Sequence, residues 1–304
     1  MSDLLRLFAN NLLPILLVAG AGYLAGKWLN VEARSISRVV FYFFSPCLLF
    51  DLMTTNQFEA GDMLRMVGFA LASILTVGVI TWLLGRLLRL ERKMLAAVLL
   101  CTLSLNAGNY GLSLNLFAFG EEALAYASLF FVTSAIITYT LGVTIASLGR
   151  ASLTVSLKGL LKIPVIYVVP LALIFIYFGW ELPLPLSRTV SLLSDASIPS
   201  MLIVLGLQLG KNDQRIRDMR ALFLATGMRL LGGLGVGLLL AAVFGLKGMA
   251  YSAGILESSM PTAVLSTILA TEYEAEPAFV TTAVLTSTLL SPLTLTPLLL
   301  ILGA

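Results

Sequence analysis

An uncharged apolar run with asparagines and glycines at its centre constrains this chain most. Residues 94–120 form 27 consecutive residues without a charge, enough for one helix to cross a bilayer. Asn-Ala-Gly-Asn-Tyr-Gly at residues 106–111 is poor helix-forming sequence, so this helix is predicted to break at its centre. Freed backbone groups are not tolerated in lipid, but they are tolerated where they line a protein cavity. Many secondary transporters build a substrate site from helices broken in this way.

The composition indicates an integral membrane protein. Hydrophobic residues make up 59% of the 304 residues and charged residues 12%, whereas a soluble domain has about 25% charged residues. No Lys/Arg-rich tract points to nucleic acid. The chain has no histidine, which excludes Ser-His and Cys-His catalysis and H-E-x-x-H metal sites. We therefore expect neither an enzyme nor a bound cofactor.

Uncharged runs bounded by charges or turn residues predict ten transmembrane helices. The predicted spans are residues 7–27, 37–55, 63–86, 94–118, 122–148, 159–179, 187–210, 219–244, 248–270 and 276–302. Fourteen of the 19 Lys and Arg residues lie in the connections after the first, third, fifth and seventh spans. The positive-inside rule then predicts that both termini lie outside the cytoplasm.

The two halves of the chain resemble each other weakly. The matches, at offsets of 150 to 153 residues, are Pro14 with Pro164, Trp28 with Trp180, Pro46 with Pro199, and residues 106–111 with residues 257–262. Because each half has five spans, the halves must insert in opposite orientations. The predicted fold is thus all-α and membrane-integral, with two inverted five-helix repeats, residues 1–150 and 151–304, and a site between them.

The fourth span of each half is predicted to be broken. The breaking residues are Asn106, Gly108, Asn109 and Gly111 in the fourth span, and Ser258, Ser259 and Pro261 in the ninth. If the two breaks cross, half-helix N-termini direct positive dipole ends at one volume, and asparagine amides add polar groups without a buried charge. This pattern predicts an anion site. Under the alternative interpretation, Gly108 and Gly111 only allow close helix packing. Pro46 and Pro199 are predicted to kink the second and seventh helices towards the crossing.

Three charged residues lie deep within predicted spans: Asp195, Arg229 and Glu257. A charge near the bilayer centre costs roughly 2.5–3.5 kcal/mol, so such residues pair or face a cavity. Arg229 can form an ion pair with one of the two carboxylates, or its planar guanidinium can bind a carboxylate substrate. An unpaired carboxylate can bind Na⁺ or exchange a proton, and the sequence leaves both open; a Na⁺ site near Glu257 is the one candidate metal site.

The motifs and their order resemble the auxin efflux carrier family over essentially the whole chain. The matching pieces are Ser45-Pro46, residues 106–111 followed by residues 117–120, residues 205–210, residues 258–262 and residues 286–297. The resemblance implies ten helices in two inverted repeats with crossing fourth and ninth helices, as in bile-acid symporters. It also implies scaffold and transport parts, each built from both repeats, that work by an elevator-like displacement.

The resemblance also implies that the substrates are small organic anions. It carries the substrate site onto Asn106, Asn109, Gly111, Ser258, Ser259, Met260 and Pro261. One difference is that the family often has proline shortly after the first break, whereas this chain has Gly111-Leu112-Ser113. The short connection between the fifth and sixth spans favours a bacterial or archaeal type of carrier.

The combined prediction is a multi-pass carrier in the cell membrane that moves a small organic anion, with symport, uniport and a homodimeric assembly left open. The alternative is a cation/proton antiporter of related inverted-repeat fold, although the adjacent aspartates typical of such sites are missing. An intramembrane enzyme is disfavoured because histidine, G-x-G-D and G-x-S-G are missing. A channel is disfavoured because no filter motif is present.

Overall fold

The structure, a computed structural model, describes residues 2–55, 60–147, 161, 163–209 and 218–304. The helices in these residues are α1 (Asp3–Trp28), α2 (Ala33–Thr55), α3 (Ala60–Leu87), α4 (Arg92–Leu103), α5 (Ser113–Phe119), α6 (Glu121–Ala146), α7 (Pro164–Phe178), α8 (Leu184–Asp195), α9 (Ser197–Leu209), α10 (Met219–Val243), α11 (Gly248–Ser258), α12 (Leu265–Glu272) and α13 (Pro277–Leu302). A π-helical turn, Ala107–Leu112, leads directly into α5.

Seven helices of the described residues are long and apolar enough to cross a membrane. They are α1, α2, α3, α6, the α8–α9 pair, α10 and α13. The predicted all-helical, multi-pass membrane protein is thereby confirmed. The three other predicted spans look different. The fourth is divided between α4 and α5, and the ninth between α11 and α12, while α7 is a shorter apolar helix of 15 residues.

One group of helices comprises α1, α2, α7, α8 and α9. Helix α1 packs along α9, and α2 packs against α7 and α8. The contact between α1 and α9 is close because both helices lack side chains there. A Cβ atom on Gly206 would collide with the backbone carbonyl of Ala19, and one on Gly22 would collide with the backbone of Ile203. Small residues thus bring these two backbones together, as is typical of membrane helix pairs.

The second group comprises α3, α4, α5, α6 and α10 to α13, and it holds both broken spans. Helix α4 packs against α3, α10 and α13, and α11 packs against α6, α10 and α3. Large buried side chains fill this group, including Phe69, Tyr110 and Phe130. The π-helical turn Ala107–Leu112 also packs against α9, so the interruption of the fourth span lies where the two groups meet.

Pro46 and Pro199 both follow a departure from regular α-helix. A π-helical turn, Val40–Phe44, precedes Pro46 within α2. The turn at Ala196 separates α8 from α9 just before Pro199. Proline lacks a backbone N–H and its ring presses on the carbonyl four residues earlier, which accounts for irregularity in the turn before each proline.

The predicted division between residues 150 and 151 lies outside the described residues. So do several of the basic residues that set the predicted orientation: Arg150, Lys158, Lys162, Lys211, Arg215 and Arg217. The predicted topology of the termini therefore stays a prediction.

Candidate functional site

The two interrupted spans cross and hydrogen-bond to each other through their backbones. Leu105 and Thr262 form an isolated antiparallel bridge. The Asn106 amide donates to the Pro261 carbonyl oxygen at 2.8 Å, and the Ala263 amide donates to the Ser104 carbonyl oxygen at 2.8 Å. Backbone groups that leave their own helix at the breaks are thus satisfied by the opposite break, which buried peptide groups require.

The local sequence explains why the chain leaves the helix at these positions. Ser104 has extended backbone angles (φ −95°, ψ 98°), and Asn106 has φ −81° and ψ 50°. On the other side, Pro261 removes a donor and disfavours a helical conformation for the residue before it. The interruptions predicted for the fourth and ninth spans are therefore present.

Arg229 connects the crossing to α10. It lies in a π-helical turn of α10, Met228–Gly232, and its side chain is 1% exposed. Its Nη1 donates to the Thr102 carbonyl oxygen at 2.6 Å and its Nε to the Met260 carbonyl oxygen at 2.9 Å. Its Nη2 donates to the carbonyl oxygen of Ser258. These carbonyls belong to the last turn of α4, the last residue of α11 and the chain just beyond it, where a cation also complements the negative helix ends.

This geometry corrects the expectation that Arg229 pairs with a buried carboxylate. Among the described residues, no carboxylate lies within 4.0 Å of the Arg229 guanidinium as an ion-pair partner; an ion pair is seen instead between Arg65 and Asp62, at the start of α3. The guanidinium instead binds carbonyl oxygens, because the two breaks leave several of them at helix ends without an intrahelical donor.

Asp195 is also placed differently from the sequence prediction. It is the last residue of α8, at the turn into α9, and it is exposed. Counting residues along a span predicts how deep a residue lies in the membrane but not which face of the helix it occupies. Asp195 can therefore lie deep in the predicted span and still be exposed. The expectation of a buried charge at Asp195 is corrected by this position, because the residue is exposed whereas Arg229 and Glu257 are buried.

Glu257 is fully buried and contacts the other broken span. Its Oε1 accepts a hydrogen bond from Asn115 Nδ2 at 2.9 Å, and the same Nδ2 donates to the Gly111 carbonyl oxygen at 2.9 Å. Glu257 Oε2 and Asn115 Oδ1 are buried without a hydrogen-bond partner. Gly111 lies directly against this carboxyl, since a Cβ on Gly111 would approach Glu257 Cδ to 2.7 Å.

The two asparagines of the first break differ in exposure. Asn106 is 4% exposed, and its Nδ2 is buried without a hydrogen-bond partner. Asn109 is half-buried, two residues into the π-helical turn. Both stand at the beginning of the half-helix formed by this turn and α5, where unpaired N–H groups and the positive dipole end favour an anion. Gly108 fits the packing interpretation, because its Cβ would lie 2.8 Å from the Phe131 ring.

The predicted residues of the second break offer mainly backbone groups. The hydroxyls of Ser258 and Ser259 both donate to the Ile255 carbonyl oxygen, at 2.9 and 2.8 Å. Met260 is fully buried, and its carbonyl and that of Pro261 are engaged in the crossing. Helix α12 begins four residues after Pro261, so a second half-helix N-terminus follows this break.

Sequence reasoning missed several residues of the crossing. Asn115 is the most important, and its signal was an amide in an uncharged run, four residues after Gly111. Gly233 and Gly237 were also missed: Cβ atoms there would collide with the carbonyl oxygen and the hydroxyl of Ser258, so they let α10 approach the break. Their four-residue spacing was the available signal.

The site holds few groups that suit a transition metal. Within the described residues, no three His, Cys, Asp or Glu side chains lie together as a metal-binding group would require. Glu257 Oε2 and Asn115 Oδ1 are oxygen atoms of the kind that bind hard cations. The Na⁺ site predicted near Glu257 stays a prediction.

The sequence is similar to those of known membrane transport proteins. Residues 7–299 match the family described as "Membrane transport protein". The chain is 25% identical over 289 residues to an uncharacterized transporter of Methanocaldococcus jannaschii, which covers 92% of this chain and 94% of that protein. It is 27% identical over 292 residues to an uncharacterized transporter of Methanothermobacter thermautotrophicus, with the same coverage of both chains.

A shorter similarity links the chain to a plant carrier. It is 31% identical over 125 residues to auxin efflux carrier component 1 of Arabidopsis thaliana, which covers 40% of this chain and 20% of the plant protein. The family match spans nearly all of the chain and confirms the resemblance drawn from the motifs. The chain therefore belongs to the membrane transport protein family of auxin efflux carriers, and it is a membrane transporter and not an enzyme.

Proposed function

We propose that this protein is a secondary active transporter that moves a small organic anion bearing a carboxylate across the cell membrane. The observation that carries the proposal is the buried crossing of two broken spans beside the side-chain Nδ2 of Asn106, which has no hydrogen-bond partner. An unpaired donor buried in a protein costs about 1–3 kcal/mol. An anionic substrate would supply the missing acceptor.

The substrate site we propose lies at the crossing and at the surface of α9. Asn109 is its most accessible polar residue, and the π-helical turn that carries it packs against α9. The half-helix N-termini after the two breaks provide positive potential for a carboxylate. Gly111, Met260 and Pro261 shape the backbone, and Ser258 and Ser259 belong to the second break.

The fold we propose for this function has ten spans in two inverted five-helix repeats. Matched helix pairs support it: α1 packs on α9 as α7 packs on α2, and α3 packs on α4 as α10 packs on α11. Across the breaks, α4 packs on α13 as α11 packs on α6. In each match, the second helix pair is obtained from the first by exchanging every predicted span for its counterpart in the other half of the chain. An inverted repeat produces this relation.

The same packing supports an elevator-type mechanism. The group of α3 to α6 and α10 to α13 holds the crossing and would move as the transport part. The group of α1, α2 and α7 to α9 would stay fixed as the scaffold, and a homodimer would form through it. Both termini would face away from the cytoplasm.

Glu257 is the coupling residue of this proposal, with Na⁺ or a proton as the coupled ion. A buried carboxyl with one unpartnered oxygen is also what favours the second candidate, a cation/proton antiporter. The two candidates differ in what they bind: the first needs an organic anion and the second does not.

Ligand-induced stabilisation of the purified protein tests this proposal. We expect organic acids to raise the thermal midpoint of the wild type, and the effect to be lost in Asn109→Ala. Asn10→Ala, a change at an exposed asparagine of α1, is the matched control and should keep the effect. If no acid stabilises the wild type while cations and pH change its midpoint strongly, the antiporter is favoured and the anion carrier is refuted.

A further inference from the structure

The contact between Glu257 and Asn115 leaves two buried oxygen atoms, one on each side chain, without a hydrogen-bond partner. Asn115 Nδ2 uses both of its hydrogens, one on Glu257 Oε1 and one on the Gly111 carbonyl, each at 2.9 Å. The orientation of the amide is fixed, because the Gly111 carbonyl accepts and requires the NH₂ group on its side. Asn115 Oδ1 and Glu257 Oε2 are the atoms left over, and both are buried without a partner.

A single proton on Glu257 would satisfy both atoms. A neutral carboxyl presents a C=O and an O–H side by side, and a primary amide presents an NH₂ and a C=O side by side. Placed face to face, they form two parallel hydrogen bonds in a ring, Asn115 Nδ2–H to Oε1 and Oε2–H to Asn115 Oδ1. An ionised carboxylate offers only acceptors, so it would leave both of these oxygen atoms buried without a donor.

No charged group on the packed elements forms an ion pair within 4.0 Å or a hydrogen bond with the Glu257 carboxyl among the described residues. Arg229 is the buried cation at the crossing, but its guanidinium binds the carbonyls of Thr102, Ser258 and Met260, and no ion pair with Glu257 forms within 4.0 Å. The packed helices carry further titratable groups: Tyr251 on α11 itself, Asp62, Arg65 and Arg86 on α3, Glu121, Glu122, Tyr126 and Tyr139 on α6, and Tyr110 in the π-helical turn. Helices α5 and α13 and the final turns of α10, residues 233–243, carry none.

A hard cation fits these atoms less well than a proton. Such cations need several oxygen ligands around them. The Asn115 NH₂ group occupies one side of the Glu257 carboxyl, and the hydroxyls of Ser258 and Ser259 point back to the Ile255 carbonyl. A coordination shell around a cation would therefore require Asn115 to turn away, whereas a proton on Glu257 would not.

We propose that Glu257 is the proton-binding group of this transporter and that Asn115 holds its neutral form in a cyclic carboxylic acid–amide pair. This inference rests on the proposed function as a secondary carrier and makes it a proton–organic anion symporter. When the crossing opens to water on one side, the Oε2–H bond breaks, the proton passes to a water molecule, and Glu257 remains as the carboxylate. Return to the buried arrangement requires a proton to rebind, which couples the movement to the proton gradient.

Infrared spectroscopy tests the proton site without transport. The wild type at neutral pH should show the C=O stretching band of a protonated carboxyl, and Glu257→Gln should lack it. Glu257→Gln should fold, since a glutamine amide can form the same two hydrogen bonds with Asn115. Glu121→Gln, at an exposed residue at the start of α6, is the control and should keep the band. Absence of the band in the wild type, or its persistence in Glu257→Gln, would overturn the inference.

Transport in proteoliposomes then separates the two proposals. A pH gradient, alkaline inside, should drive wild-type accumulation of an organic acid that stabilises the protein, and Glu257→Gln should lose this accumulation while Glu121→Gln keeps it. If the wild type exchanges the acid across the membrane but accumulates it only with Na⁺, or with no ion gradient dependence, proton coupling is refuted and the carrier function stands. If the wild type exchanges no acid at all, the carrier function is refuted, and the infrared result alone decides the proton site.

Discussion

Arg229 donates a hydrogen bond from Nη1 to the backbone carbonyl oxygen of Thr102 across 2.6 Å, although the two residues are 127 positions apart. The same guanidinium binds the carbonyls of Ser258 and Met260, so one side chain joins the ends of α4 and α11. Its charge therefore stabilises the framework of the crossing, whereas a substrate would have to displace these bonds to reach it.

Replacing Arg229 with methionine, which has no donor, should destabilise the protein strongly. Each carbonyl left buried without a donor costs about 1–3 kcal/mol, so the free energy of unfolding should fall by about 3 kcal/mol or more. Arg229→Lys should be intermediate, because one ammonium group cannot span the same three oxygens. Thermal midpoints in detergent measure the effect. Arg188→Met, at an exposed arginine of α8, is the control, and equal midpoints for the two methionine variants would contradict the role of Arg229.

The close approach of α1 and α9 makes a second prediction. In Gly206→Ala the new Cβ would collide with the Ala19 carbonyl and approach the Tyr23 nitrogen to 2.7 Å. The two helices must separate, and overpacking of this kind costs about 1–3 kcal/mol. Gly20→Ala is the control on the same helix pair, because no atom lies within 4 Å of its Cβ position. We expect the thermal midpoint to fall in Gly206→Ala and to stay unchanged in Gly20→Ala. Equal midpoints for these two variants would mean that α1 and α9 are not in close contact.

The sequence predicts where the two spans break, but not which side chain binds the backbone carbonyls at the breaks. Pro261, Asn106 and the glycines interrupt helices for local reasons, so their effect can be predicted from residue type and position. The partners of Arg229 are backbone carbonyls of α4 and α11. Which carbonyls are free depends on where each half-helix ends and how the two cross, and no local pattern encodes that.

Asp195 and Asn115 illustrate the same limit. Counting along a span places Asp195 deep in the membrane but does not say that it faces outward from the turn between α8 and α9. Asn115 binds Glu257 from 142 positions away, because α5 packs beside α11 at the crossing. Such a pair becomes visible only when the tertiary packing of the two repeats is known.

Gly111 leaves room for the Glu257 carboxyl, so an alanine at position 111 should collide with it. The new Cβ would approach Glu257 Cδ to 2.7 Å, so Gly111→Ala should lower the thermal midpoint and reduce transport by displacing the carboxyl from Asn115. Combining it with Glu257→Ala removes the collision and should recover part of the stability. Gly235→Ala, with no atom within 4 Å of its Cβ position, serves as the control. A double variant no more stable than Gly111→Ala would show that the two residues are not coupled.

Removing the side-chain amide of Asn106 should preserve or raise the stability of the protein but weaken its binding of the organic anion. Its Nδ2 is buried without a partner, and an unpaired buried donor destabilises the protein that contains it. Asn106→Leu keeps the shape of the side chain and the backbone hydrogen bond to Pro261 while removing that donor. We expect this variant to be at least as stable as the wild type in the absence of ligand. Its affinity for the organic anion should fall by about tenfold to a hundredfold, the equivalent of one lost hydrogen bond to a charged group.

Thermal midpoints of Asn106→Leu and the wild type, measured with increasing acid concentration, give both the stability and the affinity from one experiment. Asn10→Leu, at an exposed asparagine, should leave the affinity unchanged. If Asn106→Leu binds the acid as tightly as the wild type, the amide does not contact the substrate and the anion must bind elsewhere at the crossing.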